Sequence, residues 1–274
     1  MKNAAGIRAF EPIRVILPSE AVARRLADAV RTGFFRIGSR LPSERSLADQ
    51  MQVSRPTIRE AVKLLVEAKI LTVKPGAGGG TFVTTEIVPL DFIFVSPEMR
   101  PGEIDEALEV RRLILPWVAQ IASQYAEDDD YDQMREAIAF GVGCLPKPSA
   151  KAITSDHVHS TIIATMRFDL ALAQATRNSL VVRLMDLLLH WVEPLRYKTL
   201  QTRADLAQAL NFLHRMMEAI ENGDPAKIAD VADRRLTILE VALEDQTGRR
   251  MRRRRSSALS TQLAASRKRT APGR

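Results

Sequence analysis

The chain has 274 residues, 46% hydrophobic and 27% charged, with a formal net charge of +7. This is a globular composition with enough apolar residues for two cores. The single cysteine, Cys144, excludes an internal disulfide framework and a thiolate zinc cluster, and it fits a reducing cytoplasm. No apolar run approaches the roughly 20 residues of a membrane span, and residues 1–10 lack the apolar core of a secretory signal, so no membrane partner is expected.

The charge is unevenly spread. Residues 1–86 hold 14 Lys and Arg against 8 Asp and Glu, residues 87–248 hold 16 against 25, and residues 249–274 hold 10 against none. Basic ends flanking an acidic middle point to polyanion contact at the ends and to something else between them.

In chain order, Val22, Leu26, Ala29 and Val30 recur at helical spacing and predict a helix over 19–32, with Ser19 as cap and Gly33 as stop. Ser43 is placed to cap a second helix through Met51. Ser54 caps a third, on which Ile58, Ala61, Val62 and Leu65 form one apolar stripe to about Ala68. The period then changes, and 70–73 and 81–83 read as two short strands around a glycine-rich turn.

Pro89, Pro97, Pro101 and Gly102 mark a linker over 87–102. Helical periodicity resumes over 103–125, 128–140, 154–175, 179–197, 203–221 and 224–244. The expected fold is thus mostly α, with a winged helix-turn-helix domain of three helices and a small β-hairpin over 11–86 and an all-helical bundle over 103–246. A basic tail over 247–274, with few large apolar groups, is expected to be disordered.

In a winged helix-turn-helix the second helix of the pair enters the major groove. Arg55, Arg59 and Lys63 fall at i, i+4 and i+8 on one flank of the third helix, away from its apolar stripe. Arginine's forked donors match guanine O6 and N7 together, and Ser54 and Thr57 at the helix start suit phosphate or base contacts. The competing reading is an ordinary solvated basic face.

The segments Leu41-Pro42-Ser43-Glu44-Arg45-Ser46-Leu47-Ala48, Val53-Ser54-Arg55-Pro56-Thr57-Ile58-Arg59-Glu60-Ala61 and Pro75-Gly76 through Thr81-Phe82-Val83 closely resemble the GntR family of bacterial transcription regulators. The resemblance implies that Arg45, Arg55, Thr57 and Arg59 contact DNA and that Gly76 lies in the wing. Gln52 and Lys69 stand where the family often has glycine. Both positions are expected at positive φ, with slight local strain.

Residues 103–245 resemble the FadR-type ligand-binding (FCD) domain through Glu109-Val110-Arg111-Arg112-Leu113, the stretch from Phe168 to Asn178-Ser179-Leu180, and Ala219-Ile220 with Gly223-Asp224. That resemblance implies a helical bundle with an effector cavity and a homodimer contact. Many such domains hold a divalent metal through one aspartate and three histidines; the matching positions here are Thr165, Asp169, Leu213 and Arg235, so no metal is expected. The effector site is placed at Arg111, Asp169, Asn178 and Arg235, with Arg111 and Arg235 able to clamp a carboxylate. Pairing of the two arginines with structural carboxylates is the alternative.

His157 and His159, at i and i+2, point to opposite sides of a helix and read as partly exposed rather than as chelators. Trp117 and Trp191 read as packing residues. Cys144 lacks a base-and-orienter pattern, residues 76–80 lack the Gly-Lys-Ser/Thr of a phosphate loop, and Asp128-Asp129-Asp130 lacks calcium-loop spacing, so no enzyme is indicated.

The expected function is that of a cytoplasmic, nucleoid-associated homodimer gripping an inverted repeat of double-stranded DNA as an effector-controlled repressor. The other readings are a regulator with a degenerate pocket answering to a protein partner, and a helical module for RNA. The arginine-rich tail is either a nonspecific DNA contact or an inert extension.

Overall fold

The structure, a computed structural model, describes residues 17–251 except 77, 86, 87, 89–100, 149, 151 and 249. Residues 11–16 of the expected first domain, most of the expected linker, and the tail from residue 252 lie outside the described residues. The chain divides into two compact units, one reaching to Val95 and the other starting at Ser96.

The first unit comprises α1 (Pro18–Arg31), α2 (Glu44–Met51), α3 (Arg55–Glu67), β1 (Leu71–Lys74) and β2 (Gly80–Val83). Helix α1 starts one residue before the expected cap. Pro18 supplies a helical φ at the first turn and has no N–H to satisfy, so Leu17 precedes the helix without any side-chain cap and Ser19 lies inside it. Ser43 and Ser54 cap α2 and α3 as expected, each accepting a backbone N–H three residues on at 3.2 Å. Val22, Leu26 and Val30 of α1 pack with Leu47, Ile58, Leu65, Ile70 and Val83 around one core.

Gln52 and Lys69 both adopt the left-handed conformation, at φ 55 and 60. Gln52 ends α2 as its C-cap, its backbone N–H donating to Ala48 O. Lys69 ends α3, where Ile70 N–H donates to Leu65 O at 2.9 Å. Because that bond ties Ile70 to the helix end, β1 begins at Leu71, one residue later than its apolar pattern implies. The hairpin is antiparallel with Leu71 opposite Val83 and Lys74 opposite Gly80, and Arg40 bridges Phe82 on its open side.

The second unit holds α4 (Pro101–Tyr125), α5 (Asp128–Gly143), α6 (Ser155–Gln174), α7 (Ser179–Thr199), α8 (Arg203–Glu221) and α9 (Pro225–Thr247). Pro101 and Gly102, expected in the linker, are helical: proline is tolerated in the first turn, where its missing N–H has no intrahelical partner anyway. Helix α5 likewise runs past its expected end at residue 140. A Cβ on Gly141 would sit 2.5 Å from Leu210 and 2.7 Å from Ala164, so the glycine is there for close helix packing and not as a break. Helix α9 extends through Thr247 to a left-handed Gly248, and Met251 N–H donates to Glu244, which holds the first part of the expected tail against the bundle.

Helix α6 is the axis of this unit, buried almost continuously from Val158 to Ala173. A helix apolar on all sides can only be stable when other helices surround it, and α4, α5, α7 and α8 all pack against it. Burial of side chains such as Ile162, Phe168 and Leu172 contributes about 1.5–3 kcal/mol each. His159 belongs to this interior, with Nδ1 3.0 Å from Tyr197 Oη, and is not partly exposed. Trp117 is half exposed on α4, contrary to a packing role, whereas Trp191 packs against the small apolar cluster that includes Leu108, Leu195 and Leu243.

Candidate functional site

In the first unit, the turn at Gln52 sets α3 with its apolar stripe inward and its basic flank outward. Arg55, Arg59 and Lys63 are all exposed, as is Arg45 on α2. Ser54 Oγ, besides capping the helix, lies 2.8 Å from Thr57 Oγ1, so these two hydroxyls engage each other at the helix start. Arg59 reaches across to α2, with Nη2 3.0 Å and Nε 3.4 Å from the two carboxylate oxygens of Glu44. This hydrogen bond and the charge of Glu44 hold the guanidinium above its ordinary pKa range.

The wing turn needs Gly76 at φ 101, a value side chains resist, and it closes with Gly79 N–H donating to Gly76 O at 2.9 Å. Gly76 is exposed there, and Lys74 lies over the ring of Phe82.

In the second unit a buried cluster of charge surrounds Asp169 of α6. Arg235 of α9 places Nη1 and Nη2 at 2.6 and 2.9 Å from the two Asp169 oxygens, and Arg111 of α4 places Nη2 at 2.5 Å. Burial alone pushes the Asp169 carboxyl up, but the charges of Arg235 and Arg111 outweigh it and hold the group below the usual carboxylate range. Arg111, fully buried, is pushed down to about 10 by desolvation, which the attraction of Asp169 only partly offsets.

A third arginine, Arg196 of α7, lies within reach of this cluster's charges. Its Nη1 donates to Thr165 Oγ1, and it forms no ion pair among the described residues. Burial, then the positive charges of Arg111 and Arg235, push its pKa well below the ordinary value, against the weaker pull of Asp169 and Glu193. Arg111 and Arg235 therefore contact the Asp169 carboxylate, while Arg196 makes its hydrogen bond to the Thr165 hydroxyl.

Thr165, Arg196 and Arg235 line a cavity of about 100 Å³ together with Phe212, Leu236 and Leu239, and with Asp205 and Gln208 among its polar lining. Since a single water needs roughly 10–15 Å³, this is room for a small molecule. Of the four residues expected at an effector site, Arg235 lines the cavity and Asp169 braces it from behind. Arg111 lies deeper and is not among the lining residues. Asn178 is elsewhere, capping α7 by accepting Leu180 and Val181 N–H at 3.0 and 3.4 Å.

The sequence matches the description "Bacterial regulatory proteins, gntR family" over residues 18–83 and the FCD domain over residues 106–237. The chain belongs to the gntR family of bacterial regulatory proteins. Among its relatives are the Uxu operon transcriptional regulator of Escherichia coli K12, 27% identical over 64% of this chain and 65% of the relative, and the HTH-type transcriptional regulator LutR of Bacillus subtilis, 27% identical over 78% and 95%. The chain spans less than two thirds of the length of several relatives, including 57% for the Uxu operon regulator of Haemophilus influenzae. The solved structure of E. coli McbR/YncC overlaps with a TM-score of 0.49 and 18% identity, covering 86% of this chain and all of that one.

In this GntR-family chain the positions implied for a divalent metal do not fit one. Both Asp169 oxygens are taken by guanidinium groups, Leu213 is buried and apolar, and Arg235 and Arg196 would repel a cation. Among the described residues no three His, Cys, Asp or Glu side chains are grouped as a metal site. Arg196 escaped the sequence reading because it sits on the same helical face as Val192, and only the bundle reveals that this face looks onto Asp169 and Thr165. Glu44 lies within the first of the family-like motifs, but its pairing with Arg59 joins residues on two different helices.

Proposed function

We propose that the chain is a homodimeric, sequence-specific transcriptional repressor of the cytoplasm, associated with the nucleoid. Residues 11–86 read the operator, 87–102 link, and 103–246 bind an anionic effector and form the dimer. The observation that carries the DNA-reading part is the exposed edge of α3, where Arg55, Arg59 and Lys63 follow a left-handed turn and are flanked by a wing. Arg45, Ser54, Thr57 and Gly76 complete the contact set, with Ser54 and Thr57 acting from the helix start. The test is selection of a binding site from random duplexes, followed by gel shifts with Arg55→Ala. The variant is expected to lose about 1–3 kcal/mol on the selected site and much less on shuffled DNA; equal losses on both would make Arg55 a phosphate contact.

The observation favouring an effector is Arg196, a buried guanidinium that lines the cavity and makes no ion pair among the described residues. A small carboxylate there would supply the missing negative charge through Arg196, Arg235 and Thr165, with its apolar part against Phe212 and Leu236. By linkage, such an effector alters DNA affinity by the same factor by which DNA alters its own.

Two exposed apolar rows support the homodimer. Val110, Leu113 and Trp117 on α4, and Leu180, Leu184 and Leu187 on α7, lie on one side of each helix. Leu184→Glu is expected to yield monomers by light scattering, and a variant that remains dimeric would remove this face from the interface.

A further inference from the structure

We propose that Glu44 is a positioning residue for DNA reading, which holds Arg59 so that the terminal edge of its guanidinium is the one offered to a base. The inference rests on the assignment of α3 as the reading helix. Of the four exposed cations Arg45, Arg55, Arg59 and Lys63, Arg59 is the one that is ion-paired among the described residues.

A guanidinium has two edges that present paired, parallel N–H donors. The side edge combines Nε with Nη2, and the terminal edge combines Nη1 with Nη2. Glu44 occupies the side edge, its Oε1 3.4 Å from Nε and its Oε2 3.0 Å from Nη2. The terminal edge stays open to solvent on a side chain that is 67% exposed, and that edge carries the two donors that match guanine O6 and N7.

Glu44 is itself well fixed. It is the first residue of α2, directly after the Ser43 cap, where the unpaired N–H groups of the first turn favour a carboxylate. Its side chain is only one-third exposed. An anchored carboxylate has two consequences for a long side chain. It removes rotamer freedom before DNA arrives, so less is lost on binding. It also places negative charge beside the DNA-facing surface, which disfavours complexes in which Arg59 swings to a phosphate instead of a base. Both consequences favour discrimination over raw affinity.

The experiment uses the full chain with two duplexes, the site enriched from a random library and a shuffled sequence of equal composition, and compares wild type, Glu44→Gln, Glu44→Asp, Arg59→Ala and the Glu44→Gln/Arg59→Ala double variant. The readout is the ratio of dissociation constants on the two duplexes at fixed salt, with thermal melts confirming folding. Glu44→Gln is expected to lower the ratio roughly two- to tenfold, mainly by weakening the enriched site. Glu44→Asp keeps the charge but not the reach and is expected to lower it similarly. In the Arg59→Ala background, Glu44→Gln is expected to leave the ratio unchanged. An unchanged ratio in the single variant, an equal loss on both duplexes, or the same fall without Arg59 would each overturn the proposal while leaving α3 as the reading helix. If wild type enriches no sequence, the reading assigned to α3 fails and this inference fails with it.

Discussion

Asp169 receives both arms of Arg235, at 2.6 and 2.9 Å, inside a helix buried along nearly its whole length. Arg111 closes on the same carboxylate from another helix, so one acidic group ties α4, α6 and α9 together. Removing the acid leaves two guanidinium groups buried without their counter-charge. Asp169→Asn is therefore expected to destabilise the chain by about 3–5 kcal/mol in urea unfolding. Because the native carboxyl is held below its ordinary value, its contribution is complete above the ordinary carboxylate pKa and is lost as pH falls through the native one. The wild-type midpoint should thus fall on acidification more steeply than that of Asp169→Asn; parallel slopes would show that the acid is not held charged.

Arg196 makes the opposite prediction. Its burial is opposed by Arg111 and Arg235, so replacing it with methionine removes a disfavoured cation and keeps most of the volume. Arg196→Met is expected to melt at the same temperature as wild type or higher, while losing any melting-point rise produced by small carboxylates. A clear fall in melting temperature would make Arg196 a structural group and remove the main support for an anionic effector.

Gly141 lets α5 approach α6 and α8. An added methyl meets Leu210 and Ala164 well inside normal contact distance, so Gly141→Ala is expected to cost about 1–3 kcal/mol although alanine favours helices. Stabilisation instead would mean that the helices can separate at this point without loss.

Lys69 holds φ 60 at the end of α3, a conformation that costs a side-chain-bearing residue about 1–2 kcal/mol. Glycine avoids that strain but loses more chain entropy, so Lys69→Gly is expected to raise unfolding stability by up to about 1 kcal/mol. Lys69→Ala keeps the strain and should give no gain; an equal gain from both would point to the lysine charge instead of the backbone.

Local signals were most of what the first unit needed. Ser43 and Ser54 are caps whose bonds reach only three residues, and the stripe Ile58, Ala61, Val62 and Leu65 repeats with the helix itself, so both can be read without knowing the fold. The departures at Gln52 and Lys69 were legible for the same reason, since φ is a property of one residue. Helix ends were less legible at Pro101 and Gly141, where residues that usually break helices served as a first-turn start and as a close contact.

The sequence by itself determined a basic, capped α3 behind a turn and before a hairpin, and a helical second half. Each of these follows from residue identity or from spacing along a single element. Only the tertiary structure decided that Arg235 and Arg111 share Asp169, that Asn178 is a cap, that Arg196 faces the cavity, and that Glu44 holds Arg59. Those pairings join residues of different helices, and helical periodicity states which side of a helix a residue occupies but not which neighbour that side meets.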